Sequence, residues 1–278
     1  MKVAVIGTGT LGPAIAQVFA ECGRIETVYL CRGRDLATGN GKDKIERAYD
    51  KLIRSGKLSR EQADAYLDKI VTGPKENAAR AELLVEAVSE NLEIKRKVFR
   101  ELDAICGERC LFTTNTSSLP INEIGDGLSR PLIGMHFFNP APVMKLVEVV
   151  ATEDTPREMI DTVMQVAADL GKSPIEIKEA PGFVVNRVLI PMINEAISIY
   201  AEGVASIDDI DTAMRLGANQ PMGPLALGDL IGLDVVLSIL NVMLKDTGDP
   251  KYVPQPMLKK MVREKKLGRK TGEGFYKY

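Results

Sequence analysis

The sequence predicts a doubly wound α/β domain over residues 1–180, followed by an all-α domain over residues 181–278. Three observations carry that division. An apolar strand over residues 2–6 runs straight into a glycine-rich turn and then a helical stretch from Pro13 to Cys22. Strand-like and helix-like runs alternate from there to residue 177, which specifies a parallel sheet with helices on its faces. After Ala180-Pro181-Gly182 only helical periodicity remains. A length of 278 residues also suits two domains better than one.

The turn after the first strand reads Gly7-Thr8-Gly9-Thr10-Leu11-Gly12. Gly7 allows the tight turn, Gly9 lets the backbone approach a pyrophosphate, and Gly12 permits close helix packing. With Thr10 and Leu11 at the mouth of the helix, free N–H groups face the phosphates. This is a Rossmann-type dinucleotide site. The second strand, residues 27–31, leads into Arg32-Gly33-Arg34, where an acid would accept the ribose 2′-hydroxyl of NAD. Two guanidinium groups suit a 2′-phosphate instead. NADP(H) is therefore the expected cofactor and NAD(H) the alternative, with Asp35 as the rival acid.

Residues 41–70 read as two helices hinged at Ser55-Gly56. Lys42, Lys44, Arg47, Lys51, Arg54 and Lys57 make the first one basic. That face is either solvated surface or a seat for a substrate handle that carries phosphates. Strands follow at 70–72 and 83–88, the latter an apolar run typical of a strand buried on both faces. Its exit, Ser89-Glu90-Asn91, opens a helix over 92–106. The strand at 111–114 runs into Asn115-Thr116-Ser117-Ser118, at the sheet edge where ligands bind in such folds, although the same residues could cap a helix. The stretch 134–150 then contains His136, the one histidine in the chain. Asn139, Pro140, Ala141 and Pro142 form a breaker cluster that returns the next apolar run beside the first, so His136 and Glu148 can touch. A carboxylate on one ring nitrogen leaves the other as a proton acceptor. A helix over 156–170 and a strand over 174–177 close the domain.

In the second half, residues 183–202 are helical with a kink expected at Pro191, and Asn186 lies near their start. Ser206 with Asp209 starts a helix that reaches Leu216, and one long helix is expected from Pro224 to Lys245. The apolar excess of this small domain predicts a homodimer formed through it. The stretch 223–244 is broken by Asp229 and Asp234, which argues against a membrane span. Charge is balanced at 36 basic to 38 acidic residues and gives no reason to expect nucleic acid. Cys22, Cys31, Cys106 and Cys110 contain no Cys-x-x-Cys pair, so they read as reduced thiols with no metal site. With no leader before the first strand, a cytoplasmic protein is expected.

Taken together, Gly7–Gly12, Glu90-Asn-Leu-Glu-Ile-Lys95, Asn115-Thr-Ser-Ser-Leu119, His136-Phe-Phe-Asn-Pro140, Pro181-Gly-Phe-Val-Val-Asn-Arg187, Pro221-Met-Gly-Pro224 and Lys270-Thr-Gly-Glu-Gly-Phe-Tyr276 resemble the 3-hydroxyacyl-CoA dehydrogenases over nearly the whole chain. Within that family the likeness is to the bacterial branch acting on 3-hydroxybutyryl-CoA. It implies reversible hydride transfer between NAD(P)H and acetoacetyl-CoA, giving the (S)-3-hydroxy product. By the resemblance His136 is the base, Glu148 its partner, and Ser117 and Asn186 orient the substrate oxygen. Glu90, Lys95, Ser117, Asn139 and Lys270 fall at cofactor contacts, and Lys51 falls at a CoA contact. Two departures stand out. Arg32 occupies the position of the family's usual acid, and a second CoA lysine aligns near Ser55, where Arg54 and Lys57 can substitute. A broader-chain 3-hydroxyacyl-CoA dehydrogenase or a dehydrogenase of another hydroxy acid is the alternative. A cofactor-binding structural relative is disfavoured by the full set of polar residues.

Overall fold

The computed structural model describes residues 1–33 and 41–278. Arg34 and Asp35, the second guanidinium and the rival acid, lie outside the described residues. The chain divides into two compact units, Met1–Glu179 and Ala180–Tyr278.

The first unit alternates strands and helices. β1 (Lys2–Ile6), α1 (Leu11–Glu21) and β2 (Thr27–Cys31) come first. α2 (Lys42–Arg54) and α3 (Arg60–Asp68) follow, and then β3 (Ile70–Gly73). β4 (Leu83–Glu86), α4 (Leu92–Asp103) and β5 (Leu111–Thr114) complete the centre. The chain continues with α5 (Ile121–Ile124), β6 (Leu132–Phe137), β7 (Leu146–Ala151), α6 (Arg157–Asp169) and β8 (Ser173–Lys178). Among the described residues these strands form one sheet in the order β3-β2-β1-β4-β5-β6-β7-β8. The pairs are parallel except β6 with β7, the hairpin that the breaker cluster makes possible. Strand order reverses about β1, because β2 and β3 lie on one side and β4 on the other. Crevices that bind ligands open at the carboxyl ends of strands where such a reversal occurs.

The central strands of the sheet are buried on both faces, which is why they are continuous apolar runs. Val3, Val5, Val28, Leu30, Leu83 and Val85 join Phe19 and Ile15 of α1 in the core. Each such side chain contributes about 1.5–3 kcal/mol by leaving water. Local signals set the helix starts. Ser59 caps α3 in a reciprocal capping box with Gln62, and the Asn91 side chain caps α4. Of the boundaries that differ from the sequence reading, two show their cause. β4 stops at Glu86 instead of Val88, because the Val88 amide is taken by the Glu86 side chain at 2.7 Å. α4 stops at Asp103, and the Ile105 and Cys106 amides turn back onto the Leu102 carbonyl.

The second unit is helical: α7 (Val185–Ala201), α8 (Ile207–Gly217), α9 (Pro224–Ile231), α10 (Leu233–Thr247) and α11 (Pro256–Arg263). α7 continues through Pro191. The Ser206 side chain accepts from the Asp209 amide and starts α8 as expected. The long helix expected from Pro224 to Lys245 is instead two, bent by 94°. Gly232 sits at the break with φ +103°, closed to ordinary residues, and the Leu233 amide bonds the Leu267 carbonyl instead of its own helix. Ile190, Ile193, Leu225, Leu233, Val236, Leu240 and Tyr252 form this unit's core. Two buried aspartates staple it. Asp211 accepts from the Leu225 and Ala226 amides and from the Tyr276 hydroxyl. Asp229 accepts from the Phe275 and Tyr276 amides and from the Tyr278 hydroxyl. Among the described residues no single helix is long and apolar enough to cross a membrane.

Candidate active site

Parallel register brings the polar ends of four strands to one edge of the first unit. Ile6 pairs with Glu86, Glu86 with Thr114, and Thr114 with Gly134, two residues before His136. The glycine turn leaves β1 at that edge. Gly7 has φ +126°, and a side chain there would strike the Ala87 carbonyl. A Cβ on Gly12 would fall 1.9 Å from the Gly7 carbonyl oxygen, so the helix packs directly on the turn. At Gly9, by contrast, nothing lies within 4 Å. Open space over that glycine, with no side chain capping α1, fits a pyrophosphate on the helix N-terminus. Lys44 holds the turn from α2 by donating to the Thr8 and Gly9 carbonyls at 3.0 and 2.8 Å.

At the end of β6, His136 lies opposite Glu148 of β7 in the antiparallel register. Nδ1 of the ring and Oε2 of the carboxylate are 2.8 Å apart, and both residues are buried. The carboxylate accepts the hydrogen bond from Nδ1–H, which fixes the tautomer and leaves Nε2 as the acceptor in the neutral ring. The same carboxylate stabilises the imidazolium once Nε2 is protonated. Phe138 packs on the ring at a centroid separation of 4.5 Å. Below, the Asn115 side chain accepts from the Phe137 amide at 2.8 Å and ties the end of β5 to the end of β6. The connection from β6 to β7, which contains the cis Asn139–Pro140 bond, is held by Lys172, whose ammonium donates to the Ala141 and Met144 carbonyls. Burial and the charge of Lys145 push the Lys172 pKa down.

At the same edge is a second ionic cluster, in which Glu86 and Lys95 are wholly buried and Glu90 reaches the surface. Both oxygens of Glu86 accept from Lys95 at 2.9 Å, and Oε2 also accepts from the Thr114 hydroxyl. Lys95 is also 3.4 Å from Glu90. Glu90 in turn accepts from the Thr116 hydroxyl at 2.8 Å and from the Ser117 and Ser118 amides at 2.7 and 3.1 Å. Burial pushes the Glu90 carboxyl up, but the Lys95 charge and the bonds from Thr116 and Ser117 outweigh it, leaving the carboxyl below its ordinary value. Burial likewise opposes the charge on Lys95, and Glu86 and Glu90 more than restore it, so its pKa is raised. The cluster fixes the turn from which Ser117 projects.

Comparison with known proteins decides what such an edge belongs to. Residues 2–180 match the family model described as the NAD-binding domain of 3-hydroxyacyl-CoA dehydrogenase, and residues 182–278 match that of its C-terminal domain. The chain belongs to the 3-hydroxyacyl-CoA dehydrogenase family. It is 50% identical to a 3-hydroxybutyryl-CoA dehydrogenase of Clostridioides difficile, over 100% of this chain and 99% of that protein. It is 42% identical to the human mitochondrial hydroxyacyl-coenzyme A dehydrogenase, over 99% and 90%. The crystal structure of an (S)-3-hydroxybutyryl-CoA dehydrogenase from Ralstonia eutropha superposes with a TM-score of 0.93 at 40% identity, covering 100% of this chain and 98% of that one. The family consists of oxidoreductases that act on CH–OH donors, and its first domain implies a nicotinamide cofactor.

Other residues singled out from the sequence fall as follows. Arg32 follows the last residue of β2 and donates its amide to the Gly73 carbonyl at 3.2 Å. On α2 the basic face divides. Lys42 and Lys44 hold backbone carbonyls and Arg47 pairs with Asp43, whereas Lys51, Arg54 and Lys57 are exposed. Asn139 is exposed beside the hairpin turn. Lys95 is wholly buried, so its reach toward any cofactor passes through Glu90. In the second unit Asn186 is buried in the first turn of α7, and Lys270 pairs with Asp234 at 2.5 Å. Asn115 and Lys44, named in the sequence as part of a polar strand end and of a basic face, support the edge by these bonds, and so do Glu86 and Lys172, which the sequence does not distinguish. A lysine or glutamate read along the chain is a surface residue by default. The closest signal was Glu86, a carboxylate inside an apolar strand. Among the described residues no cluster could hold a metal ion.

Proposed function

We propose that the chain is an (S)-3-hydroxybutyryl-CoA dehydrogenase that prefers NADP(H). The observation that carries the reading is the buried His136–Glu148 bond at the same strand-end edge as the glycine turn, supported by the names of the C. difficile and R. eutropha relatives. Gly7, Gly9, Thr10, Leu11 and Gly12 hold the pyrophosphate, and Arg32 takes the ribose 2′-phosphate. Glu90, backed by Lys95, lines the cofactor site with Ser117, Asn139 and Lys270. When bound, the nicotinamide accepts or donates the hydride. His136 removes the hydroxyl proton of the 3-hydroxyacyl substrate through Nε2, and Glu148 stabilises the imidazolium. In the other direction the imidazolium protonates the oxygen of acetoacetyl-CoA. In the first unit Ser117 orients that oxygen, and Lys51 and Arg54 meet the phosphates of CoA; in the second unit Asn186 is a substrate contact. General acid–base assistance of this kind accounts for roughly 10²–10⁴-fold in rate.

Initial rates of acetoacetyl-CoA reduction, measured side by side with NADPH and NADH, test the reading. A higher kcat/KM with NADPH is expected, and Arg32→Asp should reduce that preference about tenfold or more, as a charged phosphate contact worth roughly 1.5–3 kcal/mol is lost. Equal use of both cofactors would remove the 2′-phosphate assignment and leave the reaction standing. In the second unit Val188, Val204 and Leu216 are exposed, which supports a homodimer through that unit. A monomeric mass by light scattering at micromolar concentration would overturn this.

A further inference from the structure

Resting on the NADP(H) reading above, we propose that Lys44 is a second specificity-determining residue for the cofactor, a fixed cation that meets the ribose 2′-phosphate together with Arg32. Three elements come together at the glycine turn. The Gly7 amide donates to the Cys31 carbonyl at 2.8 Å, which fastens the turn to the end of β2, next to Arg32. The start of α2 packs on the same turn. Gly41 has φ +80°, and a Cβ there would fall 3.1 Å from Pro13 and 3.3 Å from Thr8. From the first turn of that helix the Lys44 ammonium reaches the Thr8 and Gly9 carbonyls at 3.0 and 2.8 Å.

An ammonium has three donors, and these carbonyls take two of them. The side chain is exposed, and among the described residues no carboxylate pairs with it, since the neighbouring Asp43 is taken by Arg47. Its charge therefore stands uncompensated beside Gly9, where the space is open. In this fold the pyrophosphate lies over that glycine on the N-terminus of α1, and the adenosine ribose runs from there to the end of β2. A 2′-phosphate on that ribose is consequently placed between Arg32 and the carbonyls that hold Lys44. Lysine binds phosphate as a point charge, and anchoring it on two carbonyls sets that charge in place before the cofactor arrives. With NAD(H) the same ammonium meets only a hydroxyl. CoA also carries phosphates, and Lys51 lies two turns further along the same face of α2. The contact with the Gly9 carbonyl is what assigns Lys44 to the cofactor.

The test is fluorescence titration of NADPH and of NADH on wild type, Lys44→Gln and Lys44→Arg, with the KM for acetoacetyl-CoA measured on each. Lys44→Gln keeps a donor for the turn and loses the charge. It should weaken NADPH about tenfold and NADH less than about twofold, with the acetoacetyl-CoA KM unchanged, while Lys44→Arg keeps NADPH within about twofold of wild type. An equal loss for both cofactors would make Lys44 a support for the turn, and a rise confined to the acetoacetyl-CoA KM would move it to the CoA handle. Either result, or no change at all, overturns the proposal. Arg32→Asp separates it from the reading beneath it. Selective loss of NADPH there but not in Lys44→Gln removes Lys44 alone, whereas selective loss in neither removes the 2′-phosphate site itself. On the wild type, NADPH should protect Lys44 from acetylation by acetic anhydride, read by peptide mass, better than NADH does at the same occupancy. Equal protection would contradict the assignment even if a variant fails to fold.

Discussion

The two ionic clusters at the sheet edge each set a carboxylate against a nitrogen base and use it differently. His136 and Glu148 are joined ring nitrogen to carboxylate, set on a hairpin with Phe138 packed on the ring, in the arrangement of a proton carrier. Glu86, Lys95 and Glu90 are fixed charges whose bonds run inward to Thr114 and outward to the amides of Ser117 and Ser118. The contrast separates moving a proton from holding a shape. Removing a charge from the first should change rate and spare the fold. Removing one from the second should do the reverse.

Glu148→Gln gives the largest expected effect. It keeps the shape, loses the negative charge that stabilises the imidazolium, and should lower kcat by roughly 10²-fold or more while cofactor affinity, read by fluorescence titration, hardly changes. A defect confined to cofactor binding would erase the distinction between the clusters. Lys95→Met comes next. It strands the Glu86 carboxylate in a wholly buried site and should cost about 3–5 kcal/mol in chemical denaturation. The double variant Lys95→Met with Glu86→Leu should recover much of that, because breaking a buried pair is worse than deleting it. No recovery would mean that the cluster does more than balance its own charges.

The smallest effect is in pH dependence. The folded carboxyl of Glu90 lies below its ordinary value of 4.5, so the unfolded chain binds the proton first. Its contribution is present above the unfolded value and is lost as pH falls through the folded one. The wild type should therefore lose stability more steeply than Glu90→Gln as pH drops below about 4.5. Parallel curves would show that the Ser117 turn does not depend on that charge.

Much of this edge was legible in the sequence because it rests on backbone requirements. Glycines at 7, 9 and 12 and the breakers at 139–142 announce their geometry through residue type alone, and the hairpin follows from them. The inner cluster was legible only through the family likeness, which marks Glu90 and Lys95 but not Glu86. Lys95 stands in a charged helix, Leu-Glu-Ile-Lys-Arg-Lys, where nothing local distinguishes the one lysine that is buried against β4. The holding roles of Lys44, read as part of a basic face, and of Lys172 are hidden for the same reason, since their carbonyl partners are 35 and 28 residues or more away in the chain. Gly232 failed in the opposite direction. Apolar periodicity is unbroken across it, and only the turn made with Leu267 ends α9 there.

The central claim is that His136 moves the proton. The direct measurement is the rate of acetoacetyl-CoA reduction by wild type and His136→Gln, with NADPH binding titrated on both. The account predicts a loss of roughly 10²–10⁴-fold in kcat with unchanged NADPH affinity. A variant that retains wild-type turnover would contradict it.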